Sequence, residues 1–134
     1  MTVIDASATV RLLLAWPDDK ALRSRFADLS EVFHAPGHID AEVVSAIIGL
    51  LKGSKIEEDR ARRMISQYRD LRIRRHATAR LGSRLIELRH NFTTYDAAYV
   101  ALAEQLRQPL LTSDAKFGRA PSVCHSAEIH TVPL

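Results

Sequence analysis

Short apolar runs alternate along this chain with longer stretches of helical periodicity. Thr2-Val3-Ile4 is a β-branched run that stops at Asp5, the pattern of a short buried strand. Residues 7–16 carry apolar side chains at 10, 13 and 14 and predict a helix ended by Pro17-Asp18. Residues 21–29 read as a second helical stretch, and residues 32–34 as a strand closed by Pro36-Gly37. Asp40 is placed to cap a helix through about Leu51, because Val43, Val44, Ile47, Ile48 and Leu51 recur at helical spacing. Gly53 supplies its stop. Residues 57–68 predict another helix, with acids first and arginines later as the helix dipole favours. Residues 71–74 read as a strand despite their arginines, and residues 77–90 as a helix. Thr94 is placed to cap a helix to about Arg107, and residues 109–112 and 129–132 read as the remaining strands.

Strands separated by helices require crossover connections, hence an α/β fold with a mostly parallel sheet covered on both faces. No repeat, linker or low-complexity segment interrupts the pattern, and a length of 134 residues suits one domain spanning 1–134. With 46% hydrophobic residues the chain is too apolar to be disordered. No apolar run approaches the roughly 20 residues a membrane span needs. Met-Thr-Val-Ile-Asp lacks the basic-then-apolar start of a secretory signal. The single cysteine, Cys124, permits no intrachain disulfide. The expected compartment is therefore the reducing cytoplasm.

Charge sharpens the picture. The net charge of +3 is unevenly spread: residues 60–89 hold ten arginines against Asp70 and Glu87, and the remainder holds 9 basic and 14 acidic residues. A basic stripe on a net-acidic body suits phosphate backbones or an acidic protein partner. A solvated arginine-rich face would leave the same trace.

Four acids stand where an open parallel sheet builds its sites, beyond the carboxyl ends of the strands. Asp5 follows Val3-Ile4 and Asp114 follows Leu110-Leu111-Thr112, whereas Glu42 and Asp96 lie in the first turns of helices. Singly, each is explained by a helix cap or a dipole-favoured first turn. Together, with small neighbours such as Ala6, Ser7, Ala97 and Ala98 leaving room, they form a set of carboxylates that repel one another unless protonated or paired with a cation. Magnesium takes oxygen ligands and keeps several waters, so one or two direct carboxylates suffice. Such a centre polarises a phosphodiester and lowers the pKa of a bound water.

The blocks Val3-Ile-Asp5-Ala-Ser7-Ala, Ala41-Glu42-Val-Val-Ser-Ala46, Thr94-Tyr-Asp96-Ala-Ala-Tyr and Pro109-Leu-Leu-Thr112-Ser-Asp114 resemble the PIN domain family, and within it VapC-type toxins of prokaryotic toxin–antitoxin pairs. The blocks occur in the family's order and the likeness spans nearly the whole chain, although no recognised motif covers the segment at about 54–90. The resemblance implies a three-layer α/β/α sandwich around a short, mostly parallel sheet, and a Mg2+- or Mn2+-dependent endoribonuclease that cuts structured RNA such as tRNA. It implies Asp5, Glu42, Asp96 and Asp114 as the catalytic metal-site acids, Asp5 and Asp96 foremost as ligands. Thr112, with Ser7, is implied as hydroxyl support. It implies a cognate VapB-like antitoxin as partner and a homodimer. Some relatives carry a further acid just after the position of Asp114; here Lys116 and Arg119 follow.

Other signals carry less. His34 and His38 are four apart, but Pro36-Gly37 breaks any helix that would align them on zinc. Nothing around Cys124 marks a nucleophile, and no glycine-rich phosphate loop is present. Arg72, Arg74, Arg75 and Tyr95 are candidates for contact with RNA or antitoxin, Tyr95 by stacking on a base. Two other classes stay open: a catalytically idle PIN-like binding module, and a receiver-type signalling domain. The latter wants paired acids after its first strand, where this chain has Asp5 alone.

Overall fold

A computed structural model describes residues 1–15, 20, 24, 27, 31–120 and 125–131. Its core is a five-stranded sheet in the order β3-β2-β1-β4-β5, comprising β1 (Thr2–Ile4), β2 (Phe33–Pro36), β3 (Ile73–His76), β4 (Leu110–Thr112) and β5 (Ile129–Thr131). Every neighbouring pair is parallel. All residues of β1, β2 and β4 are buried. Since successive side chains point to opposite faces, both faces of the central strands are covered. The α/β expectation is met. The order differs from the 2-1-3-4-5 arrangement of receiver-type folds, which sets that reading aside.

Helices labelled in order of the described elements are α1 (Ala6–Ala15), α2 (Ile39–Lys52), α3 (Glu58–Asp70), α4 (Gly82–Leu88), α5 (Thr94–Leu106) and α6 (Lys116–Arg119). The alanine-rich α5 lies against β1, β2 and β4. Its residues 97–103 are all buried, because small side chains let the helix sit close to the sheet. α1 packs on α2, α3 and β4.

Several boundaries shift. β3 lies at 73–76 rather than 71–74, on an edge of the sheet where Arg74 and Arg75 are exposed. Charged edge residues discourage pairing with other chains, so the arginines that obscure this strand in the sequence suit its place. Asp40 does not cap α2; His38 holds that position without a side-chain cap bond. Asp40 instead binds the Arg75 guanidinium (2.9–3.1 Å) and the Tyr68 hydroxyl (2.7 Å), tying α2, α3 and β3 together. Thr93 rather than Thr94 caps α5, accepting from the Asp96 amide. The helix expected over 77–90 is split into a 3-10 turn, Thr78–Leu81, and α4. The helix expected at 21–29, with Trp16, Pro17, Cys124 and Val132, lies outside the described residues, apart from isolated positions.

A second tie fixes the approach to β5. Glu104 on α5 accepts Arg84 through both oxygens (2.9 Å each) and Ser126 through its amide and hydroxyl (2.9 and 3.1 Å). Burial opposes ionisation of Glu104, but Arg84 and Ser126 outweigh it and hold the carboxyl below its ordinary value of 4.5. On acidification the unfolded chain therefore takes up this proton first. The stabilisation is complete above the ordinary value and is lost as the pH falls through it and below. Glu104→Gln is expected to cost about 1–3 kcal/mol at neutral pH. In thermal melts at descending pH, its deficit should shrink once the parent carboxyl is also protonated.

Candidate active site

Strand order places the site. The chain runs from β1 outward to β2 and β3, then returns to the other side of β1 as β4, so the switch point of the sheet lies between β1 and β4. Ligand crevices in such sheets open beyond the carboxyl ends of the strands at this point. Asp5 leaves β1 there and Asp114 leaves β4 there.

Asp5 is buried, at 4% exposure. Its Oδ1 accepts the Ser7 hydroxyl (2.8 Å) and the Ala8 amide (2.9 Å), and its Oδ2 accepts the Thr112 hydroxyl (2.6 Å). The Ala8 bond makes Asp5 the N-cap of α1, so the structural explanation of this residue holds alongside the chemical one. With the Ser7 and Thr112 protons both directed at Asp5, the 3.2 Å approach of their oxygens is a contact between acceptors. These three donors leave free acceptor capacity on Oδ2. Burial pushes the Asp5 carboxyl up, the three hydrogen bonds oppose this, and the nearby Asp114 charge adds to the rise.

Thr112 links Asp5 to the next acid, since its oxygen also accepts the Asp114 amide (2.9 Å). Asp114 Oδ1 accepts the Lys116 amide (2.9 Å) at the start of α6. Lys116 Nζ lies 3.1 Å from Asp114 Oδ2 and 2.8 Å from Asp96 Oδ2. Burial works against ionisation of Asp114, but the Lys116 amide and ammonium, with Arg119, hold its carboxyl below the ordinary range. Glu42 stands one step away on α2. Its Oε1 accepts the Tyr99 hydroxyl (2.6 Å) and lies 3.3 Å from His38 Nε2. Burial, then Glu42 and the Asp5 charge, push the Tyr99 phenol well above its ordinary value. It therefore stays protonated as a donor.

The four acids are thus gathered at one sheet end. Thr112 connects Asp5 with Asp114, Lys116 connects Asp114 with Asp96, and Tyr99, which binds Glu42, lies within the field of Asp5. They are not a closed cage: among the described residues no three acids or imidazoles form a group able to hold an ion. The convergence is looser than the sequence suggests, and a lysine ammonium fills part of it. Whether the donors suit a divalent metal is answered by their chemistry. They are carboxylate oxygens backed by hydroxyls, the hard ligands magnesium and manganese prefer, and two of them already bind a cation. The set fits.

Lys116 and Tyr99 are the residues sequence reasoning passed over. In the sequence Lys116 stands out only as a departure from an acid, and Tyr99 only as the last residue of the block that begins at Thr94. Their spacing was the available signal, Lys116 two residues after Asp114 and Tyr99 three after Asp96 on one helix face.

The outer candidates divide. Tyr95 is 60% exposed, meets the His38 ring edge-on (centroids 5.2 Å apart), and with His38, Ala41, Glu42, Ser45 and Ala46 lines a groove of about 430 Å³. Arg72 and Arg74 are exposed. Arg75 is also exposed, and its guanidinium binds Asp40 and Tyr68. Arg60, Arg62, Arg84 and Arg89 also have intramolecular partners, so the arginine-rich segment is in good part structural. His34 Nδ1 turns to His76 Nε2 (2.8 Å). No described helix is long and apolar enough to cross a membrane.

Comparison with known proteins converges on one family. A PIN domain model matches residues 2–123. The chain is 38% identical over 132 residues to Ribonuclease VapC12 of Mycobacterium tuberculosis, covering 98% of this chain and 99% of that protein. It is 35% identical over 116 residues to VapC ribonuclease Mb0985 of Mycobacterium bovis, covering 87% of each. In fold it resembles PAE2754 from Pyrobaculum aerophilum, with TM-score 0.65 and 18% identity over 96% of this chain and 87% of that one. It also resembles VapBC2 from Rickettsia felis bound to a promoter DNA fragment, with TM-score 0.64 and 14% identity over 97% of each. At those identities the structural likeness bears on the fold alone. Domain match, relatives and the acids at the sheet switch point agree: the chain belongs to the PIN domain family.

Proposed function

We propose that this chain is a metal-dependent endoribonuclease serving as the toxin of a VapBC-like toxin–antitoxin pair. The observation that carries the reading is the buried Asp5 carboxylate at the β1–β4 switch point, oriented by Ser7 and Thr112 and joined through Thr112 to Asp114. Relatives spanning almost the whole chain and named as VapC ribonucleases support it. Asp5 and Asp96 would hold a magnesium or manganese ion, with Asp114 and Glu42 completing the set. When bound, the ion supplies charge stabilisation at the phosphodiester and a nucleophilic water at neutral pH.

The chain's own residues prepare that chemistry. Ser7, Ala8 and Thr112 fix the Asp5 carboxylate before any ligand arrives, so no reorganisation is needed during reaction. Tyr99 holds one Glu42 oxygen and leaves the other to orient a water. Tyr95 presents an exposed ring beside Glu42, and base–aromatic stacking is worth about 1–3 kcal/mol per base. The substrate class is structured RNA such as tRNA, and the setting is the cytoplasm. The partners are a cognate antitoxin and a second copy of the chain.

Incubating the purified protein with total RNA, with magnesium, manganese or chelator, tests the reading. Discrete cleavage positions that require the cation are expected, and suppression by the co-purified antitoxin. Intact RNA under every condition overturns it. The arginines give a separate measure. Arg72→Gln with Arg74→Gln is expected to weaken RNA binding and reduce the log–log salt slope by about 1–2, one counterion per lost phosphate contact. Arg75→Gln should instead lower thermal stability, through loss of Asp40.

A further inference from the structure

The ammonium of Lys116 lies where the proposed metal ligands converge. It is 2.8 Å from Asp96 Oδ2 and 3.1 Å from Asp114 Oδ2, so one cation bridges carboxylates from two elements, α5 and the turn after β4. The backbone of Lys116 is fixed on both sides. Its amide binds Asp114 Oδ1, and the next residue, Phe117, is 1% exposed and stacked on Phe92 with centroids 6.0 Å apart. The side chain beyond is held by the two carboxylates and passes over the Phe117 ring (5.8 Å from its centroid), and it is 49% exposed. It can leave the carboxylates for water without disturbing α6.

A divalent ion bound by Asp96 and Asp114 draws on the oxygens that Lys116 holds. Two cations cannot share them without strong repulsion at such separations. We propose, building on the metal-dependent reading above, that Lys116 is a tethered cation competing with the divalent metal for Asp96 and Asp114, and that it sets the metal concentration at which the site loads. Without metal it relieves the repulsion between the carboxylates. With metal it swings outward and leaves a positive charge at the mouth of an acidic site, where a phosphodiester must enter.

The test is direct binding of Mn2+ to the full chain, followed by the paramagnetic resonance signal of free Mn2+, for the parent protein, Lys116→Gln and Lys116→Met. Both variants are expected to bind Mn2+ about five- to tenfold more tightly, the range open to half-exposed ion pairs. In thermal melts without metal both should unfold at lower temperature than the parent, and Mn2+ should raise their melting temperatures more than the parent's. Equal or weaker Mn2+ binding by the two variants, with the parent binding measurably, overturns the competition and leaves the metal site standing. Absence of Mn2+ binding by all three proteins removes the metal reading and the competition together.

Discussion

Asp5→Asn is expected to lower metal-dependent RNA cleavage by about a hundredfold or more, while the chain folds as before. The activity loss follows from replacing the carboxylate at the centre of the acid set by a neutral amide, which cannot balance a divalent charge and binds it poorly. The fold survives because the two duties of Asp5 are chemically separable. As an N-cap it needs only an oxygen accepting from the Ala8 amide, and asparagine caps helices as well as aspartate does. The Thr112 hydroxyl can rotate to accept from the new amide nitrogen. Burial already disfavours charge at this position, so the metal-free variant should melt at the same temperature as the parent or above it. Cleavage assays and melts on one nuclease-free preparation check both halves. Undiminished cleavage by the folded variant takes Asp5 out of the mechanism.

Phe117→Ala carries the largest expected effect on stability, about 3–5 kcal/mol, or a fall in melting temperature of about 10 °C or more for a chain of this size. Phe117 is 1% exposed and stacks on Phe92, and α6 is only four residues long. Propensity alone cannot hold so short a helix. The aromatic anchor fixes the turn that carries Asp114 and Lys116, so its removal should also weaken Mn2+ binding. Phe117→Leu keeps most of the volume and should cost well under half as much. If the alanine variant melts with the parent, the β4–α6 turn is held by something other than this pair of rings.

Asp5 was legible because three local signals coincide there: a β-branched run, an acid at its end, and small residues opening a helix. The same logic reached Asp114 through Leu110-Leu111-Thr112. Glu42 and Asp96 were legible as first-turn acids, but their partners were not. Periodicity ranks the faces of a helix only when the apolar side is distinct, and α5 is buried nearly all round, so nothing marked Tyr99 as turned toward Glu42. Counting charge along the chain could not show that Arg75 has a carboxylate partner 35 residues away. The cap of α5 slipped by one residue because Thr93 and Thr94 are interchangeable by residue type. β3 was displaced because an edge strand presents too little apolar surface to announce its register.

The shared duty of Asp5 has a consequence for how such a protein is lost. Most replacements at this position strip the end of α1 of its acceptor while also disarming the site, so the product is both inert and weakened. Asparagine removes the charge while keeping both the shape and the capping oxygen. A folded but inactive descendant is therefore expected to carry an amide there, whereas an alanine or valine allele leaves the start of α1 without its cap.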